Sequence, residues 1–176
     1  PPLDLSLDPS TLLSFSSYGE HAVWVTKDYK AYAIGSNRGS RISTYLANEV
    51  FMEPVEVILP DSKGFPMQIL SAACGFFYTL YMCCTIQEDG NQGTPILILF
   101  WASENKKYYN QPFIVDIGNH KPIGIFAGSG RAAVIDEEGF IYSPTPHHSN
   151  EYDRDPPYKF VQLKLPFNEK AISVAC

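Results

Sequence analysis

The sequence predicts an all-β chain: a β-propeller of four-stranded blades, about three of them present. Three observations predict it. Of 176 residues, 45% are hydrophobic and 14% aromatic, with 14 Pro and 12 Gly, a mix that suits short strands and turns. No stretch of a dozen residues carries an apolar stripe at i, i+3, i+4, i+7. A hairpin pattern, "HAVWVTKDYKAYAIGSN" at 21–37, recurs along the chain, and a strand of alternating character accompanies each copy.

The first copy reads "LLSFSSYGEHAVWVTKDYKAYAIGSN" at 12–37. The second reads "ILSAACGFFYTLYM" at 69–82 and, after an insertion, "ILFWASEN" at 98–105. The third is "PIGIFAGSGRAAVIDEEGFIYS" at 122–143, and "AISVAC" at 171–176 opens another. Ser14, Ser71, Gly124 and Ser173 align these copies at spacings of 57, 53 and 49, and seven residues later stand His21, Tyr78 and Arg131. The companion strands are "PLDLSLDP" at 2–9, "PVEVILP" at 54–60, "PFIVDIG" at 112–118 and "KFVQLKLP" at 159–166. Each alternates with period two, the mark of a half-buried strand, and Pro sits at strand ends where it is tolerated.

The chain therefore divides into a strand of a preceding blade (1–11), unit one (12–66), unit two (67–121), unit three (122–170) and the start of another unit (171–176). Inner strands "SFSS", "SAAC", "IFAG" and "SVAC" carry the small residues expected where sheets converge on an axis. In unit three Asp136-Glu137-Glu138-Gly139 supplies a polar turn, with Gly free to take positive φ. Tyr29 occupies the glycine place in unit one, so that turn is of another type or strained. In unit two the loop at 86–93 is lengthened, a change tolerated at a surface tip.

The net charge is −6, and Lys106-Lys107 is the densest basic pair, so direct nucleic-acid binding by this segment is not expected. The longest apolar run, 95–102, is too short to span a membrane, and no membrane contact is expected. The four cysteines show no C-x-x-C spacing; free, buried thiols of a reducing compartment are expected, hence an intracellular place in cytoplasm or nucleus. No signal peptide is visible, and Pro1 rather than Met leads the chain, which reads as a fragment of a longer protein. Its remaining blades are expected from that same chain; the other reading, an arc completed by association, would start from two exposed apolar blade faces.

The repeat resembles that of the regulator of chromosome condensation family. That repeat has a small-residue strand ending Ala-Cys-Gly, then a His, a strand, a Glu-Asp-Gly-type turn, and a strand ending Trp-Gly-x-Asn. "SAACG" (71–75), His21, "DEEG" (136–139), "AIGSN" (33–37) and "FWASEN" (100–105) carry the likeness, over nearly the whole chain. The resemblance implies structural repeat positions at His21, Gly35, Gly75, Gly139 and Trp101, with His21 tying strands within its blade. It also implies a ring usually closed by seven blades. The sequence departs from the pattern: the His place holds Tyr78 and Arg131, the Trp place Ile34 and Pro144, and Ala102 follows Trp101.

No catalytic constellation emerges. No Ser stands in a G-x-S-x-G context, "GSGR" at 128–131 lacks the Lys-Ser or Lys-Thr of a phosphate loop, and no carboxylate pair suits a glycosidase. His147 and His148 with Asp153 and Asp155 have no recognised metal-ligand spacing, so neither metal nor cofactor is expected. The candidate contacts are the aromatic and basic residues of three loops expected to share one face: Arg38, Arg41 and Tyr45; Lys106, Lys107, Tyr108 and Tyr109; His147, His148, Tyr152, Arg154 and Tyr158. The expected function is a protein–protein interaction scaffold, an adaptor or regulatory propeller without catalytic chemistry, whose partner is another protein. Relatives of this type are often joined to ubiquitin-ligase or other modules, so a ubiquitin-pathway component is one candidate. The alternative implied by the resemblance is guanine-nucleotide exchange on a Ran-type small GTPase.

Overall fold

The computed structural model describes residues 8–43, 45–59, 67–87, 89–102, 112–129, 131–144, 160–165 and 169–174. They form three four-stranded sheets, each built from four consecutive strands paired antiparallel in chain order. The first holds β1 (Leu12–Tyr18), β2 (His21–Thr26), β3 (Ala31–Ser36) and β4 (Val50–Val57). The second holds β5 (Met67–Cys74), β6 (Tyr78–Thr85), β7 (Ile96–Trp101) and β8 (Phe113–Val115). The third holds β9 (Pro122–Ala127), β10 (Ala132–Asp136), β11 (Ile141–Pro144) and β12 (Phe160–Leu163). These are three propeller blades.

The small residues that align the repeat have a structural counterpart. Pairing of β1 with β2 skips Leu13, that of β5 with β6 skips Leu70, and that of β9 with β10 skips Ile123. The next residue is Ser14, Ser71 or Gly124. A bulge bends its strand and increases local twist, so each inner strand turns at the same step. The hairpin turns are equally regular. Tyr29 (φ 63°), Gly90 (φ 80°) and Gly139 (φ 83°) each return their N–H to the carbonyl three residues back, on Thr26, Gln87 and Asp136. Tyr29 therefore keeps the glycine-type turn and carries a left-handed conformation costing roughly 1 to 2 kcal/mol.

Blades pack face on face. Val23, Val25, Ala31, Ala33 and Val57 of the first blade meet Ile69, Ala72, Cys74, Tyr81, Cys83, Ile98 and Phe100 of the second. From the other side of the second blade, Tyr78, Leu80, Met82, Leu97 and Leu99 meet Ile125, Ala132, Val134, Tyr142 and Phe160 of the third. Alternate residues of β6 thus face opposite neighbours, which is why it is buried from Tyr78 to Cys84. The far face of the third blade packs Ala133, Ile135 and Ile141 against Leu165, Ala171 and Val174. The far side of β1 leaves Leu13 and Phe15 about half exposed.

Three expectations need adjusting or fall partly outside the description. Residues 2–7 are not among the described ones, and Pro9–Thr11 is a short 3-10 turn in which the Asp8 carboxylate accepts the Ser10 N–H. The strand expected at 54–60 begins earlier, at Val50, and ends at Val57. Residues 171–174 are not a strand: among the described residues no strand pairs with them, and one backbone bond, Ala171 N–H to the Gly139 carbonyl at 2.8 Å, ties them down.

Burial between blades, more than strand pairing alone, stabilises this arrangement. Leu80→Ala, in the doubly covered strand, is expected to lower unfolding free energy by about 2 to 5 kcal/mol. Ile114→Ala, where the side chain is 69% exposed on β8, should change it by less than about 1 kcal/mol. Urea midpoints of the two variants check this; equal losses would contradict the packing.

Candidate functional site

One end of the sheets gathers two turns and one of the loops that the sequence singled out. Gly19-Glu20 joins β1 to β2 there, residues 37–49 join β3 to β4, and Gly75-Phe76-Phe77 joins β5 to β6. β7 ends on the same side, with Trp101 opposite Tyr78. Arg38, Arg41 and Tyr45 lie in the 37–49 connection. Lys106, Lys107, Tyr108, Tyr109, His147, His148, Tyr152, Arg154 and Tyr158 lie outside the described residues, as do Asp153 and Asp155.

Asn37, last residue of "AIGSN", shapes the 37–49 loop. Its buried amide donates to the carbonyls of Ser43, Leu46 and Asn48 at 3.1 to 3.3 Å. Its amide oxygen accepts the N–H groups of Ile42 and Ser43 at 2.9 and 3.1 Å. Folded this way, the loop drives Ile42 into the core between the first two blades, where Tyr81 donates its hydroxyl to the Ile42 carbonyl at 3.1 Å. Gly35 precedes this loop at φ 100°, and a Cβ there would collide with the Glu20 carbonyl oxygen. Gly75 meets the same limit, since a Cβ would run into the Tyr78 ring.

Arg41 sits at the centre of this end, its side chain 8% exposed. Its Nε donates to the Arg38 carbonyl at 3.2 Å, and Nη1 donates to the Phe76 carbonyl at 3.2 Å and to Glu20 Oε2 at 3.3 Å. The guanidinium carbon lies 5.9 Å from the Phe77 ring centre. Burial lowers the Arg41 pKa; the Glu20 charge opposes this and Arg38 adds to it. Arg41 is thus a bracket between the first blade's loop and the second blade's turn, rather than a free contact. Around it the surface is aromatic. Phe76 and Phe77 pack edge to face at 4.4 Å, Tyr18 meets Phe76 at 6.3 Å, and Phe76, Phe77 and Tyr45 are all exposed. Arg38 is exposed too.

His21 corrects the expectation that it ties strands within its own blade. Its Nε2 meets Thr79 Oγ1 of β6 in the next blade at 2.9 Å. Tyr78, at the same repeat position, likewise reaches forward: its hydroxyl donates to the Gly128 carbonyl of the third blade at 3.4 Å. The position is an inter-blade tie because it opens β2 or β6 on the face turned to the following sheet. Arg131, the third occupant, is exposed. Burial pulls His21 down to about 4, with Arg41 adding to this and Glu20 and the Tyr78 backbone opposing.

The remaining repeat positions are structural. Trp101 stacks on Tyr78 with ring centres 5.1 Å apart and planes within 5°. Gly139 lies in the β10–β11 turn at the opposite end, above buried Asp136. That carboxylate accepts the N–H groups of Glu138 and Phe140, the Tyr142 hydroxyl at 2.9 Å and His120 Nδ1 at 3.0 Å. Burial, and then the hydrogen bond to Asp136, pushes the Tyr142 pKa up. Burial also raises the Cys74 thiol to about 12 and raises Cys83, leaving both as packing groups. Among the described residues no three His, Cys, Asp or Glu side chains are grouped to hold a metal ion.

Sequence reasoning missed Phe76, Phe77, Asn37 and the Asp136 cluster. Two adjacent phenylalanines in a turn, where polar residues are the norm, were the available signal for the first pair. Asn37 closes the "AIGSN" motif, and its role depends on a loop that folds around it.

No family model matches the sequence, and no curated protein matches it. Solved structures do. Human WBSCR16 superposes with a TM-score of 0.58 at 12% identity, covering 88% of this chain and 40% of that one. Yeast RCC1 (Prp20), solved with Kap60 bound to it, gives 0.53 at 14%, covering 84% and 35%. Prp20p from Saccharomyces cerevisiae, described with its binding properties to Gsp1p and histones, gives 0.51 at 16%, also covering 84% and 35%. The chain spans two fifths or less of these neighbours, and at such identities the likeness establishes the fold.

Two outcomes follow from this geometry. His21 is folded in its neutral form, so its stabilising contribution is complete above pH 6.5 and is lost as pH falls towards 4. The loss amounts to about 3 kcal/mol. His21→Gln should flatten this part of the profile of urea midpoint against pH; an unchanged profile would refute the assignment. Asn37→Ala should cost about 1 to 3 kcal/mol and expose the amides of Ile42 and Ser43 to hydrogen exchange ahead of the sheets. Protection unchanged at both would show that the loop holds its shape without Asn37.

Proposed function

We propose that this chain is an arc of a regulator-of-chromosome-condensation-type propeller that serves as a protein–protein interaction scaffold, an adaptor or regulatory domain without catalytic chemistry of its own. One observation carries the reading: exposed Phe76, Phe77, Tyr45 and Arg38 gather at one end of rigidly packed blades. Aromatic and Arg side chains on a fixed frame are the composition of binding hot spots. The loops at 103–111 and 145–159, with Lys106, Lys107, Tyr108, Tyr109, His147, His148, Tyr152, Arg154 and Tyr158, extend the same docking face in this proposal. The partner is an intracellular protein, in cytoplasm or nucleus, and further blades of the same longer chain complete the ring.

Guanine-nucleotide exchange on a Ran-type small GTPase is the second reading. What favours it is the fold shared with Prp20p, a protein described with its binding to Gsp1p. Such an activity needs no side-chain chemistry, only binding energy spent on a nucleotide-releasing conformation of the partner.

Two measurements test these readings. Partners recovered by cross-linking to the intact protein should lose at least about tenfold in affinity when Phe77, Tyr108, Tyr109, Arg154 and Tyr158 are replaced by Ser together. Undiminished binding of every partner would overturn the docking face. Labelled GDP on a Ran-type GTPase should leave at its intrinsic rate in the presence of the protein; accelerated release would transfer the function to the second reading.

A further inference from the structure

Two arginines stand close together at the docking face, and one carboxylate pairs with only one of them. Arg41 is held by the carbonyls of Arg38 and Phe76, and its only acidic partner among the described residues is Glu20. That contact is single, 3.3 Å long, and made by a carboxylate that is itself 58% exposed. Arg38 is exposed and close enough for its charge to act on Arg41, yet it has no ion-pair partner among the described residues. Glu49, at the other end of the same loop, pairs with neither arginine. Among the described residues the patch therefore carries one unpaired cation, Arg38, on a chain whose net charge is −6.

Beside these charges stand two phenylalanine rings that the described residues leave partly exposed. Phe77 lies under the Arg41 guanidinium and is 48% exposed, and Phe76 continues the surface towards Tyr18. Arg41 is already desolvated and already fixed by backbone acceptors. An incoming anion therefore gains a positioned cation without the cost of ordering a long side chain. Glu20 holds the place in the meantime, through a bond that its exposure to water weakens.

We propose that Arg38, Arg41, Phe76 and Phe77 dock a protein segment presenting an Asp or Glu carboxylate next to an apolar side chain. The carboxylate bridges the arginines and displaces Glu20, while the apolar neighbour covers the phenylalanine pair. The inference rests on the docking-face reading and adds to it the chemistry of the partner. A carboxylate fits better than a phosphate group because the exposed Glu20 charge stays beside the site and repels a dianion more strongly than a monoanion.

The test uses the intact protein as bait for a displayed library of random peptides. Enriched sequences should pair Asp or Glu with Phe, Leu, Ile or Trp. Synthetic versions should bind about tenfold more weakly when the acid is changed to its amide, and equally so to the Arg38→Gln protein. Glu20→Gln should instead tighten them several-fold by removing the competing carboxylate. These variants change exposed residues, and thermal melting confirms that each is folded. Enrichment of Lys or Arg, equal binding by Arg38→Gln, tighter binding of phosphoserine versions, or no enrichment over a Phe76→Ser/Phe77→Ser protein would each overturn the proposal. Peptides without an acid that are nevertheless lost in the Phe76→Ser/Phe77→Ser protein would leave the docking face standing and remove only its preference for carboxylates.

Discussion

Everything in this structure depends on blades covering one another. A four-stranded sheet satisfies its backbone through its ladders, but it has two faces, and here both are apolar. β6 shows the consequence: Tyr81 and Cys83 belong to one blade interface and Leu80 and Met82 to the other, so the strand has no solvent side. Each buried aliphatic side chain of this kind contributes on the order of 1.5 to 3 kcal/mol, and only a neighbouring sheet brings that contribution. The second blade has such a neighbour on each side. The shape of the 37–49 loop follows from this stacking, since Ile42 is drawn into the same core.

Apolar contact is not directional, so it leaves the relative placement of sheets loose. Polar ties at the loop end remove that freedom. Ser16 binds Cys74 twice, accepting its N–H at 2.9 Å and its thiol at the backbone carbonyl. His21 binds Thr79, Tyr81 binds the Ile42 carbonyl, and Arg41 binds the Phe76 carbonyl. Each joins the first blade to the second, and a sliding sheet would have to break them in surroundings where an unpaired polar group is costly. The proposed docking residues sit on fixed backbone because they share it with these ties. Phe76 follows Gly75 in the turn that Arg41 holds, and Arg38 supplies one of the carbonyls that fixes Arg41.

Much of the fold was legible because a propeller repeats a local pattern. Alternation marked the strands, small residues marked the inner ones, and Asp136 to Gly139 marked a turn that the structure places there. Even the awkward Tyr29 was visible as a residue out of place, and it does take positive φ. What escaped were relations that pattern cannot encode. A bulge is a matter of pairing, so Ser14, Ser71 and Gly124 aligned the units without revealing that each follows a skipped residue. The direction in which His21 reaches depends on the blade beside it, so an expectation built on one blade pointed the wrong way. Asn37 could be read as a turn residue, but its five bonds depend on a loop closing around it. The 171–176 segment has the right residues for an inner strand, yet no strand pairs with its described part.

The divergence of the repeats separates what the fold requires from what function requires. His21 and Tyr78 differ in size and chemistry, yet both send a polar atom into the following blade. In these two copies the fold asks that position for reach, and two unlike residues supply it. This is how three-dimensional similarity persists at 12 to 16% identity with the solved propellers. The same reasoning makes Phe76 and Phe77 conspicuous. Packing does not need a phenylalanine that remains half in water, and a turn forms more readily with small or polar residues. Two such rings beside a fixed guanidinium lower the solubility of the surface without any return in core burial. In the proposed function they are the surface that a partner covers.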